Sequence, residues 1–134
     1  MVLAGGAGRR LGGDKAIAVL DGRPLIAWPL EALRAVLGAR VAVVARADTA
    51  LPADLGVPVW REPDGPRHPR NGIVHALREA GGAPVIVSAV DLPGLTPATV
   101  WALRDAPGEG PAVAVGPDGR VQPLLGRYPA SVLA

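Results

Sequence analysis

Apolar residues fall along the chain in two patterns: short runs, and longer segments in which they recur every three or four positions. The strongest run, 84–90, has no polar alternation and predicts a strand buried on both faces. Ile26, Leu30 and Leu33 lie at helical spacing in a helix predicted over 25–37, which Gly38 ends. Further strands are predicted at 1–4, 40–45, 57–60, 111–115 and 121–128, and Asp21-Gly22 predicts a turn. Further helices are predicted at 71–80, with Asn71 as N-cap, and at 97–105, with Thr96 as N-cap.

Strands and helices alternate in this prediction, which is typical of α/β proteins. Because the central strands are apolar without alternation, the sheet is predicted to be mostly parallel and covered by helices on both faces. We therefore predict a three-layer α/β/α, Rossmann-like fold in a single domain over residues 1–134. Ligands of such folds bind outside the carboxyl ends of the strands. The loop after the first strand and the residues after Val90 are thus the candidate site.

Composition narrows the class of protein. Hydrophobic residues make up 49% of the chain, which excludes a disordered protein. The absence of cysteine excludes a disulfide scaffold and a thiolate metal site, and two histidines make a histidine-rich zinc site a poor prediction. No apolar run reaches the ~18 residues of a membrane span, and no signal peptide is visible. We expect a soluble cytoplasmic protein with no membrane partner.

The charge distribution points away from nucleic acid. The pI of about 9.9 is high, yet the net charge is only +2, because all but one of the 14 basic residues are arginines with a very high pKa. These arginines are scattered, and three tryptophans and one tyrosine leave little material for stacking bases. The one lysine, Lys15, is a compact point charge that arginine does not replace. The count alone leaves open whether Lys15 serves chemistry or persists by chance.

Lys15 closes a glycine-rich loop that follows the first predicted strand. The glycines let backbone N–H groups approach phosphate oxygens closely, and Arg9, Arg10 and Lys15 add positive charge. The loop is not a Walker A motif, because Ala16 follows the lysine where Ser or Thr is needed. It is not a dinucleotide fingerprint either, because Leu11 stands at the place of the last glycine. We predict that this loop binds phosphate groups.

Asp91 directly follows the most apolar predicted strand, so its carboxylate is expected at the carboxyl edge beside the glycine loop. From this position alone two roles stay open. Asp91 is either a ligand of Mg²⁺, which prefers carboxylate and phosphate oxygens, or the cap of the turn that follows it. We interpret His75 as a partly buried helix residue and His68 as a surface residue.

Five sequence blocks resemble those of one family in their order and spacing. The blocks are Leu-Ala-Gly-Gly, Gly-x-Arg-Leu-Gly and Asp-Lys within 3–15, Asp-Gly-Arg-Pro-Leu at 21–25, Asn-Gly-Ile at 71–73, Asp-Leu-Pro at 91–93 and Gln-Pro-Leu at 122–124. Over nearly the whole chain they resemble the motifs of the MobA-like nucleotidyltransferases, the family of molybdenum cofactor guanylyltransferase. The resemblance implies a fold of the nucleotide-diphospho-sugar transferase type.

The resemblance also implies an activity. It is that of an enzyme that transfers GMP from GTP to molybdenum-loaded molybdopterin, forming the guanine dinucleotide cofactor and pyrophosphate. Mg²⁺ is the implied cofactor with Asp91 as its ligand, and Lys15 and Arg10 are the implied catalytic residues. The implied nucleotide-binding residues are Leu3, Ala4, Gly5, Gly6, Gly8, Lys15, Glu62, Asn71 and Asp91. The protein partners stay open between a second copy of this chain and molybdoenzyme maturation proteins.

Three segments depart from the family pattern where the family holds its nucleotide. Arg46 stands after the second strand where guanylyltransferases tend to carry Asn, Glu62 stands where they tend to carry Asp, and 68–72 replaces a Gly-Pro-Leu-Ala-Gly segment. The base preference is therefore open. The alternatives are CTP or ATP with another phosphorylated cofactor or a sugar phosphate, and a nucleotide-binding module without catalysis. Family members also continue further than this chain, so we expect it to lack their C-terminal elements.

Overall fold

The computed structural model describes residues 1–6 and 14–133. Within these ranges the strands are β1 (Val2–Leu3), β2 (Val19–Leu20), β3 (Arg23–Pro24), β4 (Val43–Ala45), β5 (Val59–Arg61), β6 (Val85–Ala89), β7 (Ala112–Val115) and β8 (Val121–Tyr128). The helices are α1 (Ala27–Leu37), α2 (Pro69–Glu79) and α3 (Pro97–Arg104), and a short 3₁₀ helix spans Ala130–Leu133. In the described part of the chain, every helix is too short or too polar to cross a bilayer.

Six strands form one sheet in the order β5-β4-β1-β6-β8-β7. The strands β5, β4, β1 and β6 are parallel, and β8 and then β7 add to one side in the antiparallel direction. The predicted α/β fold with a mostly parallel sheet is therefore confirmed. A separate hairpin of β2 and β3 was not predicted, although its turn was. Asp21 and Gly22 both have positive φ there, 49° and 76°, which suits a tight two-residue hairpin turn.

The sheet separates two apolar cores. On one face α1 and α3 bury Leu33 and Val100 completely, in a cluster that includes Val43 of β4. On the other face α2 buries Leu77 completely, in a cluster that includes Val44 of the same strand. Neighbouring residues of β4 thus point to opposite cores, as the pleat of a strand requires. Both faces of the sheet are covered, which explains why the central strands are apolar without alternation.

The beginning of α2 corrects one prediction. Asn71 is not the N-cap, because the helix begins at Pro69 and the side chain of His68 caps it. The His68 Nδ1 atom accepts a hydrogen bond from the backbone N–H of Arg70 at 3.1 Å. Proline suits the first helical position since its missing N–H has no partner there in any case. The predicted cap of α3 is confirmed: Thr96 Oγ1 accepts from the backbone N–H of Thr99 at 3.3 Å, and Gly38 ends α1 as expected.

A bulge interrupts the pairing of β8 with β7. Two neighbouring residues of β7 pair with Gly126 and Gln122 of β8, which leaves 123–125 as additional residues. Pro123 lies in this interval, where its lack of an N–H breaks the ladder. The Tyr128 hydroxyl donates to the Pro123 carbonyl at 2.6 Å. Burial raises the pKa of Tyr128, so its hydroxyl keeps the proton that it donates well above neutral pH.

Candidate active site

The carboxyl ends of four parallel strands meet at one edge of the sheet. Arg46 directly follows β4 and Glu62 directly follows β5. Gly5 and Gly6 come after β1 with one residue between, and Asp91 comes after β6 with one residue between. Backbone hydrogen bonds hold this edge together. The Ala4 N–H donates to the carbonyl of Val44 at 2.8 Å, and the Glu62 N–H donates to the carbonyl of Ala45 at 2.8 Å. The first turn of α2 closes one side of the site.

Lys15 and Asp91 come together at this edge. The Lys15 Nζ atom lies 2.8 Å from Asp91 Oδ2 and donates a hydrogen bond to it, although the two residues are 76 positions apart. The two side chains are 30% and 44% exposed, so a ligand can reach both. The buried strand β6 directs Asp91 outward, because Val90 is buried and Asp91 is not. The structure thus places side by side the two residues that the sequence singled out most strongly.

Glu62 lies in a narrow space between two glycines. A Cβ atom added to Gly5 would stand 3.1 Å from Glu62 Oε2, and one added to Gly72 would stand 2.7 Å from Glu62 Oε1. A side chain at Gly72 would meet the carboxylate at a distance that real Cβ atoms essentially never show, and one at Gly5 would be tight, so either would make the Glu62 carboxylate shift. Glu62 forms no ion pair with any other described residue and remains partly exposed. Its oxygens are therefore available as acceptors.

Arg46, where the sequence departs from the Asn that the family tends to carry, lies beside the same glycine. Its Cγ atom would be 3.1 Å from a Cβ on Gly5. Its side chain is only 14% exposed, and its Nε atom is buried without a hydrogen-bond partner in the described part of the chain. Arg46 directly follows β4, the strand on one side of β1, and Asp91 comes shortly after β6, the strand on the other side.

The other predicted site residues have different surroundings. Leu3 is half-buried, with its Cδ atoms 3.4 and 3.5 Å from a Cβ that Gly72 would carry, and Ala4 is buried. Gly6 is exposed and has open space beside its Cα atom. The Asn71 side chain is exposed and donates to the carbonyl of Pro66 at 2.8 Å. Gly8, Arg9 and Arg10 lie outside the described residues.

The described residues of this site offer few ligands for a divalent cation. Among residues 1–6 and 14–133, no three His, Asp or Glu side chains stand close enough together to hold a metal ion. Within these ranges Asp91 therefore belongs to no cluster of three such side chains, and a metal ion there would need ligands from outside the protein. Mg²⁺ accepts such a site, because it commonly binds one or two carboxylates and takes its remaining oxygens from phosphate groups and water. The donor set thus suits a magnesium ion that arrives with a phosphorylated ligand.

Comparison with known protein families gives a match over the whole chain. Residues 1–134 match the family described as the MobA-like NTP transferase domain. The molybdenum cofactor guanylyltransferase of Cereibacter sphaeroides is 40% identical over 139 residues, which cover 98% of this chain and 69% of that protein. The protein of the same name from Acidiphilium cryptum is 38% identical and is covered to 66%. The chain thus spans about two thirds of the length of these relatives.

Solved structures give the same fold. The molybdopterin-guanine dinucleotide biosynthesis protein A of Archaeoglobus fulgidus superposes with a TM-score of 0.73 at 26% identity, covering 97% of this chain and 66% of that one. The 2-C-methyl-D-erythritol 4-phosphate cytidylyltransferase of Thermus thermophilus superposes with a TM-score of 0.66 at 24% identity, covering 98% and 71%. The second likeness bears on the fold alone. The predicted nucleotidyltransferase type of sheet is thereby confirmed.

Proposed function

The chain belongs to the MobA-like NTP transferase domain family, and from that premise we propose that it transfers GMP from GTP to molybdenum-loaded molybdopterin. The products are the guanine dinucleotide cofactor and pyrophosphate. The observation that carries this proposal is the contact between Lys15 and Asp91, whose Nζ and Oδ2 atoms are 2.8 Å apart. The contact lies at the edge of the sheet where Gly5 and Gly6 follow β1. A lysine point charge beside a carboxylate that could hold Mg²⁺ matches what phosphoryl chemistry needs.

In this reaction an oxygen of the acceptor phosphate attacks the α-phosphorus of GTP. The bond from that phosphorus to the bridging oxygen breaks, and its electron pair leaves with pyrophosphate. No covalent enzyme intermediate and no strong base are needed, so catalysis consists of positioning and of stabilising charge. The Lys15 ammonium moves from Asp91 to the phosphate oxygens, where negative charge grows in the transition state. The backbone N–H groups of Gly5 and Gly6 bind phosphate oxygens in the same region.

Asp91 is the residue that would hold Mg²⁺. Such an ion would supply positive charge that stabilises the departing pyrophosphate. Arg10 and Gly8 remain predicted contributors to the phosphate site, and Leu3, Ala4 and Asn71 remain predicted nucleotide contacts. The cytoplasmic location and the protein partners also stay predictions from the sequence.

Glu62 favours guanine over the alternative bases. A carboxylate accepts hydrogen bonds and donates none. Guanine offers it two adjacent donors, the N1–H and the 2-amino group. Adenine and cytosine present a ring nitrogen that is itself an acceptor at the corresponding place, so either base would face Glu62 acceptor to acceptor. The free carboxylate between Gly5 and Gly72 thus supports GTP as the donor substrate over CTP and ATP.

The test combines binding with turnover. GTP, CTP and ATP are titrated calorimetrically into the protein with and without Mg²⁺, and pyrophosphate release is measured with acceptor present. We expect GTP to bind most tightly and Lys15→Met to lower turnover by about 100-fold or more, since a positioned charge on the transition state is removed. The melting temperature should stay nearly unchanged, because the pair is at the surface.

The control is Arg40→Met, which removes an equal charge at the opposite end of β4, where the side chain is exposed. It should leave turnover unchanged. Normal turnover in Lys15→Met would contradict the catalytic role of that residue. GTP binding without any pyrophosphate release would favour the non-catalytic module, and preferential binding of CTP or ATP would assign the other donor.

A further inference from the structure

We propose that Ala16 is a positioning residue for Lys15. Its buried methyl group and its backbone carbonyl fix the turn that carries Lys15, so that the ammonium group stands at Asp91 in the absence of ligand and within reach of the phosphates when the nucleotide binds. The inference rests on the proposed function, because it takes Lys15 as the group that stabilises the transition state. Ala16 itself is buried and acts only through its neighbour.

The first observation is the contrast between two consecutive residues. The Lys15 side chain is 30% exposed, whereas Ala16 is only 2% exposed and belongs to the core beneath α1 and α3. Because protein interiors are as densely packed as organic crystals, the methyl group of Ala16 has little freedom to move. The backbone of Lys15 is therefore tied to the core through the residue that follows it.

The second observation is that the same core anchors the other segments of the site. Ala4 leads into the glycine-rich loop, and Val90 directly precedes Asp91. Both are buried in the cluster that contains Ala16. Three segments that are distant in sequence thus enter the site from one packed cluster. The packing of this cluster, rather than the weak and partly exposed ion pair, sets where Lys15 stands relative to Asp91.

The third observation concerns the backbone of the turn. The Ala18 N–H donates to the carbonyls of Asp14 and Lys15 at 3.2 and 3.3 Å, which closes the turn on itself. The Ala16 carbonyl accepts from the N–H of Ile26, which directly precedes α1, at 3.3 Å. Ile26 is fully buried in the same core. The turn is thus attached to the core by a side chain and by a backbone hydrogen bond.

This attachment has a consequence for the reaction. The Lys15 ammonium stabilises negative charge that grows on phosphate oxygens, and such stabilisation is effective only when the charge is already in place. A lysine side chain is long and flexible, so the position of its backbone determines the region that its ammonium group can reach. A displacement of about 1 Å can lower a rate by about 100-fold. A shift of the turn should therefore lower turnover more than it weakens nucleotide binding.

The first test uses Lys15 as its own reporter, since the chain contains no other lysine. Protein labelled with ¹³C at lysine Cε gives one side-chain cross-peak, whose chemical shift depends on the surroundings of the ammonium group. We expect Asp91→Asn to move this peak, because the ion pair is lost. Ala16→Val adds two methyl groups at a closely packed position and should move the peak at least about half of the way to its place in Asp91→Asn.

The second test measures turnover as pyrophosphate release from GTP with acceptor present. We expect Ala16→Val to lower kcat about 10-fold while the KM for GTP changes less than about 2-fold. Ala32→Val is the matched control, because Ala32 is 4% exposed in the same core but lies in the middle of α1. It should lower the melting temperature comparably and leave both kcat and the lysine peak unchanged.

Two further variants cover the case in which Ala16→Val does not fold. Ala16→Gly removes the anchoring methyl group without overpacking the core, and it should move the lysine peak and lower kcat. Ala16→Ser has nearly the size of alanine and should keep both close to wild type. A folded Ala16→Val or Ala16→Gly protein with an unchanged kcat would overturn the inference.

The remaining outcomes separate this inference from the proposed function. Equal effects of Ala16→Val and Ala32→Val on kcat and on the lysine peak would show that the core acts only through stability, so the inference is wrong while the proposed function stands. A lysine peak that Asp91→Asn does not move overturns the inference without any turnover measurement. A peak that moves as expected in a protein that releases no pyrophosphate supports the anchoring of Lys15 and overturns the proposed function.

Discussion

At the scale of single residues, Glu62 lies between Gly5, which follows β1, and Gly72 of α2, neither of which has a side chain. Its two oxygens face the Cα atoms of Gly5 and Gly72, and no other described residue pairs with its charge. Among the described residues, the carboxylate is consequently left available as an acceptor for a ligand. Replacing Glu62 by glutamine would change one of these two acceptors into a donor, because glutamine has nearly the same shape but carries one donor group and one acceptor.

We expect Glu62→Gln to change the preferred nucleotide from GTP to XTP. Xanthine keeps the N1–H of guanine but has an acceptor oxygen in place of the 2-amino group, and the glutamine amide complements that pair. Calorimetric titration should show GTP binding about 10-fold weaker and XTP binding correspondingly stronger than in the wild type. Glu79→Gln, on an exposed turn at the end of α2, is the matched control. An unchanged GTP to XTP ratio would remove Glu62 from the base site.

Lys15 and Asp91 could be identified from the sequence because a local feature marks each of them. Lys15 is the only lysine, and Asp91 follows an apolar strand whose carboxyl end faces the ligand side. Arg46 follows β4, and the sequence marked it as a departure from the Asn that the family tends to carry. The sequence did not predict that the Arg46 side chain lies against Gly5, because the two residues are 41 positions apart and no local pattern encodes that contact.

At the scale of elements, one residue of β8 organises the segment that joins α3 to β7. The Arg127 guanidinium donates to the carbonyls of Arg104, Ala106, Gly108 and Gly110 at 2.8–3.3 Å. Arg104 ends α3 and the other three residues lie in the irregular connection that follows, so no helix or strand partner satisfies these carbonyls. One side chain thus fixes the course of the whole connection.

We expect Arg127→Met to lower the free energy of unfolding by about 2 kcal/mol, because four charge-assisted hydrogen bonds are lost while the apolar stem is kept. Urea denaturation followed by circular dichroism measures this change. Arg120→Met in the same β7–β8 hairpin is the control, since the Arg120 side chain is 84% exposed. The control should shift stability by less than about 0.5 kcal/mol. Equal effects of the two substitutions would mean that the connection does not depend on Arg127.

Elements with strong local signals were predicted well, and those fixed by their neighbours were not. Thr96 followed by proline marks the beginning of α3, and the turn at Asp21-Gly22 was recognised. The two-residue strands β2 and β3 were missed because so short a pairing leaves no periodicity to detect. The cap of α2 was misassigned to Asn71 because asparagine is the stronger N-cap type. The proline at position 69 fixes φ and begins the helix earlier.

At the scale of the whole molecule, the alternation of strands and helices was sufficient to predict a three-layer fold, but not the order of its strands. The spacing of apolar residues indicates which faces of an element are buried, but it does not indicate which strands are neighbours in the sheet. The position of β7 outside β8, and the antiparallel direction of both, depend on how the last two strands pack. The extent of the domain stays a prediction, since the chain spans 69% of its Cereibacter relative.

The two cores should respond independently to substitution. Ile26 belongs to the core beneath α1 and α3, and Ile73 belongs to the core beneath α2. We expect Ile26→Val and Ile73→Val each to lower the free energy of unfolding by about 1 kcal/mol. The double variant should show their sum within about 0.5 kcal/mol, because the sheet separates the two sites. Urea denaturation of the four proteins measures the coupling, and a coupling above about 1 kcal/mol would contradict separate cores.

Under the proposed function, the contact between Lys15 and Asp91 would couple the binding of Mg²⁺ to that of the nucleotide. The Asp91 carboxylate already has an ammonium group 2.8 Å away, so a divalent cation that binds alone would first have to displace that group. A nucleotide whose phosphates attract Lys15 would free Asp91. Each ligand would then raise the affinity for the other, and thermodynamic linkage requires that the two increases be equal. Because the pair is partly exposed, breaking it costs only about 1 kcal/mol or less, which makes this cooperativity modest.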